Sequence, residues 1–213
     1  MPPFRDYLCA FPLVAILRGL RPENAEAIGG ALVEAGFRII EVPLNSPEPF
    51  RSIGIMAKKF GPDVLAGAGT VLDPADVARV RDAGGRLIVM PHGDAAVIER
   101  AAALGLACTP GVATATEAFA ALNAGAAALK MFPAENLPPA VVKAWRAVLP
   151  KGTLLLPVGG IKPDNMAPYV EAGADGFGLG SALFAPGSTP QEVRENAQRF
   201  AKAWEALRRR KAA

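Results

Sequence analysis

Apolar positions along this chain fall into short runs, which are separated by longer stretches rich in Ala, Leu, Glu and Arg. Eight of the runs have the length and the β-branched composition of buried strands. They cover residues 13–19, 38–44, 63–70, 86–92, 106–112, 127–133, 154–160 and 176–181. The stretches between them are predicted to be helices. Several end in Ala-Gly, as expected where Gly follows a helix, and others begin near Pro22, Pro74 and Pro163.

This alternation predicts an α/β fold in which parallel strands are joined by helices. Eight such units close into a (β/α)₈ barrel, the TIM barrel. A doubly wound open sheet is the structural alternative if one strand is wrongly assigned, although no G-x-G-x-x-G motif follows the first strand. No linker or change of composition divides the chain, so residues 1–213 are expected to form a single domain.

Composition narrows the possible partners. The 213 residues are 51% hydrophobic and carry a net charge of +3, and the basic run at residues 208–211 is expected to be a solvated helix end. We therefore expect neither a nucleic-acid nor a membrane partner, since no apolar run is long enough for a signal peptide or a membrane span. The two cysteines, Cys9 and Cys108, cannot make a disulfide framework, which favours the cytoplasm.

Metal chemistry has few candidate ligands in this sequence. His92 is the single histidine, and no cluster of Asp and Glu suggests a carboxylate-bound cation. A Ser-His-Asp triad would have to use the same histidine. We expect neither a metal nor a cofactor.

Three strands each carry one ionisable residue late in an apolar run: Arg18, Glu41 and Lys130. Because side chains alternate between the two faces of a strand, Arg18 shares a face with Ile16, and Glu41 with Ile39. A single charge of this kind could equally point outward between helices. Three in matching positions favour one polar site inside the mouth of the barrel.

These three side chains suggest a specific chemistry. A buried lysine near a cation loses preference for its charged form, so its pKa falls from ~10.4 towards neutrality. A neutral Lys130 amine could attack a ketone and form an imine. Arg18 could pair with a substrate carboxylate, and Glu41 could transfer protons. The set predicts a small 2-oxo acid as substrate.

Glycines end the last two strands, at Val158-Gly159-Gly160 and at Gly180-Ser181. In barrels of this kind, the loops after strands seven and eight commonly bind phosphate through backbone N–H groups. Glycines are also needed for ordinary turns. Their occurrence at both strand ends nevertheless favours a phosphorylated substrate.

Four segments in the expected order resemble one enzyme family. They are EVPLNSP (41–47), GAGTVL (67–72), LKMFPA (129–134) and VGG (158–160). Together they are similar to the 2-keto-3-deoxy-6-phosphogluconate and 6-phosphogalactonate aldolases. The resemblance implies a homotrimeric, metal-independent barrel enzyme that releases pyruvate and glyceraldehyde 3-phosphate.

The resemblance also assigns roles to residues. Lys130 matches the Schiff-base lysine and Glu41 the general acid/base, while Arg18 and Thr70 match contacts to the substrate carboxylate. The resemblance implies that Pro91 and Phe132 form the pyruvate pocket. It implies that the phosphate site is formed by Gly159, Gly160, Gly180 and Ser181.

Simpler interpretations remain open for some of these residues. Thr70 could merely cap the helix that begins near Pro74, and Pro91 and Phe132 could be packing residues. His92, which follows Pro91, is interpreted as an incidental surface residue.

Two positions resemble the galactonate branch of the family. Enzymes of the gluconate type usually have Arg-Thr after Glu-Val-Thr-Leu, whereas this chain has Asn45-Ser46 after EVPL. They also usually have Thr where this chain has Val158 before the two glycines. Asn45 and Val158 are therefore the candidate specificity residues, and the missing Arg removes one possible phosphate contact.

Two other functions remain as alternatives. A sugar-phosphate or phosphoribosyl isomerase on the same barrel would use the same phosphate loops but would not need a lysine inside a strand. A non-catalytic sugar-acid-binding barrel would use Lys130 only as a charge partner. Borohydride trapping with pyruvate separates the first of these from an aldolase.

Overall fold

The structure, a computed structural model, describes the backbone of residues 4–212 and the side chains of residues 4–209. Within that range the strands are β1 Leu13–Ile16, β2 Ile39–Pro43, β3 Leu65–Gly69, β4 Leu87–Val89, β5 Ala107–Thr109, β6 Gly111–Val112, β7 Leu129–Met131, β8 Leu155–Pro157 and β9 Phe177–Leu179. Each lies inside a predicted apolar run. The fifth run forms two strands, because Pro110 interrupts it and has no N–H to donate.

The helices alternate with these strands as predicted. They are α1 Phe4–Ala10, α2 Pro22–Glu34, α3 Pro49–Phe60, α4 Pro74–Asp82, α5 Ala95–Ala103, α6 Ala115–Asn123, α7 Pro139–Val148, α8 Met166–Glu171 and α9 Pro190–Ala212. Short 3₁₀ turns follow α3 at Gly61–Asp63 and β7 at Ala134–Asn136. α1 was not predicted, since its seven residues are too few to show a helical period.

Helix ends follow the local signals in most places. The predicted glycines after four helices have positive φ angles: Gly36, Gly84, Gly125 and Gly173. Pro22 and Pro74 begin helices as predicted. The start near Pro163 was wrong, because α8 begins at Met166. α9 includes the basic run, in which Arg208 and Arg209 are exposed, whereas the side chains of residues 210 and 211 lie outside the described ones.

All the strand pairs are parallel, which confirms the predicted α/β class. One sheet has the order β5-β4-β3-β2-β1-β9, and a second has the order β6-β7-β8. The first strand therefore pairs with the last. A bridge between Val158 and Gly178 joins the end of β8 to β9, and Pro110 alone separates β5 from β6. The parallel sheet is strongly curled.

The two faces of the curled sheet bury different side chains. Helices α2 to α9 pack on the outer face through residues such as Ile28, Val142 and Phe200. The inner face encloses a second apolar cluster, formed by Val14, Ile39, Leu65, Leu87, Val89, Ala128, Leu154 and Leu156. Phe4, Tyr7 and Leu8 of α1 complete that cluster. Alternation along each strand then places the next inward residues nearer the carboxyl ends of the strands.

Candidate active site

Glu41 and Lys130 lie in the middle of β2 and β7, and their side chains are only 2% and 7% exposed. Each lies two residues beyond a member of the inner cluster, Ile39 and Ala128 respectively. Both therefore point into the space that the sheet encloses. The inward orientation predicted for these two residues is confirmed.

A close approach by Glu41 explains a glycine on the neighbouring strand. A methyl group on Gly69 would overlap the Glu41 carboxyl group, and a methyl group on Gly67 would overlap the backbone of Leu87. Oε2 of Glu41 makes no hydrogen bond within the described part of the chain. The carboxyl group thus lies against bare backbone, with one oxygen free to accept or carry a proton.

Burial favours the uncharged forms of both Glu41 and Lys130. It raises the pKa of Glu41 to about 7, against the opposing charges of Lys130 and Arg18. Burial also lowers the pKa of Lys130; the negative charge of Glu41 opposes this change, and the positive charge of Arg18 adds to it. Lys130 is therefore more readily available as an amine nucleophile than an ordinary lysine, and near neutral pH the Glu41 carboxyl group can exchange protons.

Lys130 lines both an open cleft and a small inner cavity. The cleft has a volume of ≈ 390 Å³ and lies at the carboxyl ends of the strands. All but two of the predicted site residues line it: Arg18, Thr70, Pro91, Lys130, Phe132, Val158, Gly159, Gly160, Gly180 and Ser181. Glu41 lines the inner cavity instead, and Asn45 lines neither. Lys130 Nζ lies 4.6 Å from the centre of the Phe132 ring, a cation–π distance.

Arg18 departs from its predicted position. β1 ends at Ile16, so Arg18 lies in the loop beyond the strand, where it is exposed. Its Nη1 donates a hydrogen bond of 3.0 Å to Oδ1 of Asn45. The backbone N–H of Gly19 also donates to Oγ of Ser46 at 2.9 Å. Asn45 and Ser46 therefore hold the β1 loop and its guanidinium group at the rim of the cleft.

Thr70 does not cap α4. Asp73 has that role, because its side chain accepts a hydrogen bond of 2.8 Å from the backbone N–H of Ala75. Thr70 instead follows β3 with a φ angle of 53°, which is rare for a β-branched residue. Strained backbone of this kind concentrates at functional sites. The structure thus removes the simple capping interpretation and leaves Thr70 on the wall of the cleft.

The loops that follow the last strands form one end of the cleft. Gly159 and Gly160 have φ angles of 109° and 61°, which a side chain would strain. Val158, immediately before them, is 6% exposed and lines both the cleft and the inner cavity. His92 is exposed and is not among the residues that line the cleft.

Comparison with known proteins agrees with this geometry. The family model described as KDPG and KHG aldolase matches residues 5–197. The chain belongs to this aldolase family. A probable 2-dehydro-3-deoxy-6-phosphogalactonate aldolase of Rhizobium meliloti (strain 1021) is 50% identical over 196 residues, which cover 92% of each chain.

Two further relatives support the same assignment. The 2-dehydro-3-deoxy-6-phosphogalactonate aldolase of Escherichia coli (strain K12) is 46% identical over 193 residues, 91% of this chain and 94% of its own. A solved structure described as native KDPGal superposes with a TM-score of 0.92 at 44% identity. It covers 93% of this chain and 97% of its own.

The aldolase site contains residues that the sequence analysis missed. Glu135 and Lys162 line the cleft, and Oε1 of Glu135 lies 3.0 Å from where a side chain on Gly160 would begin. A carboxylate thus lies beside the predicted phosphate loop. Thr109 is buried in the inner cavity. Thr109 lies two residues after Ala107, so the alternation of side chains along the fifth run could have predicted its inward orientation.

The described part of this aldolase was searched for membrane-spanning helices and for groups of metal-binding side chains. None of its helices between residues 4 and 212 has both the length and the apolar composition needed to cross a membrane. Across the same residues, no three His, Cys, Asp or Glu side chains are grouped so that they could hold a metal ion. Cys9 and Cys108 are both free thiols.

Proposed function

We propose that this chain is a class I aldolase that cleaves 2-dehydro-3-deoxy-6-phosphogalactonate to pyruvate and D-glyceraldehyde 3-phosphate. One observation carries the proposal: a buried lysine with a lowered pKa faces both an open cleft and a buried carboxyl group. Membership of the KDPG and KHG aldolase family supports it, as do the names of the two relatives that are 50% and 46% identical.

The finer description of the fold is part of this proposal. The curled sheet closes as a (β/α)₈ barrel, and residues 1–213 form a single domain. The pairing of β1 with both β2 and β9 supports closure on one side, and the bridge from Val158 to Gly178 supports it on another. At the remaining junction, β5 and β6 are consecutive parts of one chain segment.

In the first step, the neutral amine of Lys130 attacks the C2 carbonyl carbon of the substrate; the resulting hydroxyl group takes up a proton from solvent and leaves as water, forming a protonated imine. Glu41, as carboxylate, then removes the proton of the C4 hydroxyl group. The C3–C4 bond breaks, its electron pair moves to the imine nitrogen as an enamine, and the aldehyde product leaves. Glu41 then gives the proton it has taken up to C3 and returns to the carboxylate. Hydrolysis of the protonated imine consumes one water molecule, returns one proton to solvent, releases pyruvate and restores the amine.

The remaining site residues orient the substrate. Arg18 and Thr70 contact its carboxylate, with Arg18 already held at the rim by Asn45. Pro91 and Phe132 shape the pyruvate pocket. The phosphate lies at the other end of the cleft, against the loops that contain Gly159, Gly160, Gly180 and Ser181.

The assembly and location expected from the resemblance are also proposals. A homotrimer is supported by family membership and by large apolar side chains at the surface, among which Leu72 is 55% exposed and Phe119 39%. A cytoplasmic location is supported by the two free thiols.

Metal independence is a testable part of this mechanism. The imine supplies the electron sink that a metal would provide in other aldolases, so prolonged EDTA treatment is expected to leave the rate of pyruvate release unchanged. The measurement is a coupled pyruvate assay before and after chelation and desalting. Reversible loss of activity that a divalent ion restores would contradict the mechanism.

The experiment that tests the proposed function is turnover of both C4 epimers side by side. We expect 2-keto-3-deoxy-6-phosphogalactonate to be cleaved at least as efficiently as the gluconate epimer. The basis is Val158, a buried apolar side chain just before the phosphate loop that cannot donate a hydrogen bond to a C4 hydroxyl group. Failure to release pyruvate from either compound would refute the function.

Val158→Thr is expected to shift the ratio of the two kcat/KM values towards the gluconate epimer. One hydrogen bond is worth ~0.5–1.5 kcal/mol net, so the shift should be about several-fold to tenfold. The same assay with both epimers measures it. A wild-type preference for the gluconate epimer that this substitution leaves unchanged would show that other residues, Asn45 first among them, govern the choice.

A further inference from the structure

A carboxylate lies at the end of the cleft where the proposed phosphate site is. Glu135 lines the cleft together with Gly159, Gly160 and Lys162. Its carboxyl group packs against both glycines: a side chain on Gly159 would overlap Oε2, and one on Gly160 would begin 3.0 Å from Oε1. The absence of side chains at these two positions therefore makes room for the Glu135 carboxyl group. The mechanism proposed above gives Glu135 no role.

Hydrogen bonds hold the backbone of Glu135 beside the two glycines. Glu135 belongs to the 3₁₀ turn Ala134–Asn136. The backbone N–H of Ala134 donates to the carbonyl of Val158 at 2.8 Å, which ties the turn to the residue just before the glycines. The hydroxyl group of Tyr169 on α8 donates to the carbonyl of Ala134 at 3.0 Å. Because the turn is attached both to the end of β8 and to α8, the Glu135 side chain begins at a fixed position.

No ion pair neutralises the charge of Glu135 within the described part of the chain. None of the ion pairs among the described side chains includes it. Lys162 lines the same cleft and is exposed, but it forms no such pair with Glu135. The negative charge acts on a neighbouring group: burial, and in addition the charge of Glu135, raises the pKa of Tyr169. A phosphate group at the two glycines would therefore meet an unpaired negative charge.

We propose that Glu135 is a specificity-determining residue that weakens phosphate binding at Gly159 and Gly160. This inference rests on the proposed aldolase function. Two nearby negative charges repel each other. By contrast, the terminal hydroxyl group of an unphosphorylated 2-keto-3-deoxy sugar acid can donate a hydrogen bond to the same carboxylate. Glu135 therefore reduces the preference of the enzyme for phosphorylated over unphosphorylated substrates.

The test is Glu135→Gln, which keeps the side-chain shape over the two glycines and removes the charge. Inorganic phosphate is the probe, and its Kd is measured at fixed ionic strength from the amide NMR signals of Gly159 and Gly160. The Kd should fall roughly three- to tenfold, the effect of one nearby like charge that is exposed to solvent. An unchanged or higher Kd overturns the inference, because Glu135 would then only pack against the loop. So does an absence of phosphate binding in both proteins.

Glu99→Gln is the matched control for the change in net charge. Glu99 is an exposed residue of α5 that does not line the cleft. Its substitution changes the net charge by the same amount and should leave the Kd for phosphate unchanged. Glu135→Asp, which keeps the charge, should stay closer to the wild-type Kd than Glu135→Gln does. An equal fall in Glu99→Gln would assign the effect to net charge and overturn the inference.

Turnover extends the test to substrates. In Glu135→Gln, kcat/KM for 2-keto-3-deoxy-6-phosphogalactonate relative to that for unphosphorylated 2-keto-3-deoxygalactonate should rise roughly three- to tenfold. The borohydride adduct with pyruvate should be unchanged, since pyruvate carries no phosphate. A ratio that stays the same or falls overturns the inference. The phosphate titration requires no turnover, so a lower Kd in Glu135→Gln but not in Glu99→Gln supports the inference even if no substrate is cleaved.

Discussion

Lys130→Arg is expected to abolish turnover while the protein remains folded. The guanidinium group stays protonated at every accessible pH, so it cannot attack a ketone and form an imine. The wild-type amine can, because burial lowers its pKa. Pyruvate release in a coupled assay measures the loss, and circular dichroism with thermal melting checks the fold.

Covalent trapping adds a test that identifies the residue. Wild-type protein treated with pyruvate and borohydride should gain one reduced adduct, which mass spectrometry should locate on Lys130. Lys162→Arg is the matched control, because Lys162 also lines the cleft but lies in the loop after Gly160. It should keep the adduct and most of the turnover. An adduct on Lys162 or Lys143 would show that the nucleophile is wrongly assigned.

The same trapping experiment separates the alternative functions. A sugar-phosphate isomerase would form no adduct with pyruvate, because its chemistry requires no lysine imine. A non-catalytic binding barrel would bind pyruvate reversibly without exchanging its methyl protons with solvent. An aldolase exchanges them, since the enamine is protonated and deprotonated at that carbon.

Glu41→Gln is expected to lower kcat by roughly 10²–10⁴-fold, the usual contribution of a positioned acid or base. Glutamine has nearly the same shape and fits against Gly69 as the carboxyl group does. The variant should therefore remain folded and still form some borohydride adduct with pyruvate. Near-normal turnover in the folded variant would rule out proton transfer by Glu41.

The pH dependence of wild-type activity also tests proton transfer by Glu41. Burial raises the pKa of Glu41 to about 7, so the carboxylate that accepts the C4 proton predominates only above that pH. Wild-type kcat/KM, which reports the groups of the free enzyme, should therefore rise as pH increases through about 7. In Glu41→Gln the remaining activity should lack this limb, whereas Lys162→Arg should retain it. A limb that persists in the glutamine variant would belong to another group.

Much of the fold was readable in the sequence because its determinants are local. Each strand lies inside a predicted apolar run, and each predicted Ala-Gly helix end has its glycine at positive φ. The alternation of side chains along a strand is equally local, which is why Glu41 and Lys130 could be assigned to the inner face. The glycines and the serine at the phosphate end of the cleft followed from one rule: loops at the carboxyl ends of parallel strands meet in space. Thr70, Pro91 and Phe132 were implied only by the family resemblance.

Residues outside regular strands required the tertiary structure. Arg18 was extrapolated as part of β1, but the strand ends at Ile16 and the guanidinium group is fixed by Asn45, 27 residues later. Thr70 was a capping candidate by composition, but the structure gives the cap to Asp73, which the sequence analysis did not single out. Loop conformation depends on such long-range contacts, which no local period records.

The chemistry of the site likewise depends partly on local sequence and partly on tertiary structure. The sequence alone favoured the inner face for Glu41 and Lys130, since that orientation depends on a two-residue repeat within one strand. Only the tertiary structure decided how buried Glu41 and Lys130 are, and hence how far their pKa values shift, because burial depends on the packing of every neighbouring strand and of α1. It also brought Glu135 to the phosphate loop and Thr109 to the inner cavity, because residues far apart in the chain become neighbours only when the sheet curls.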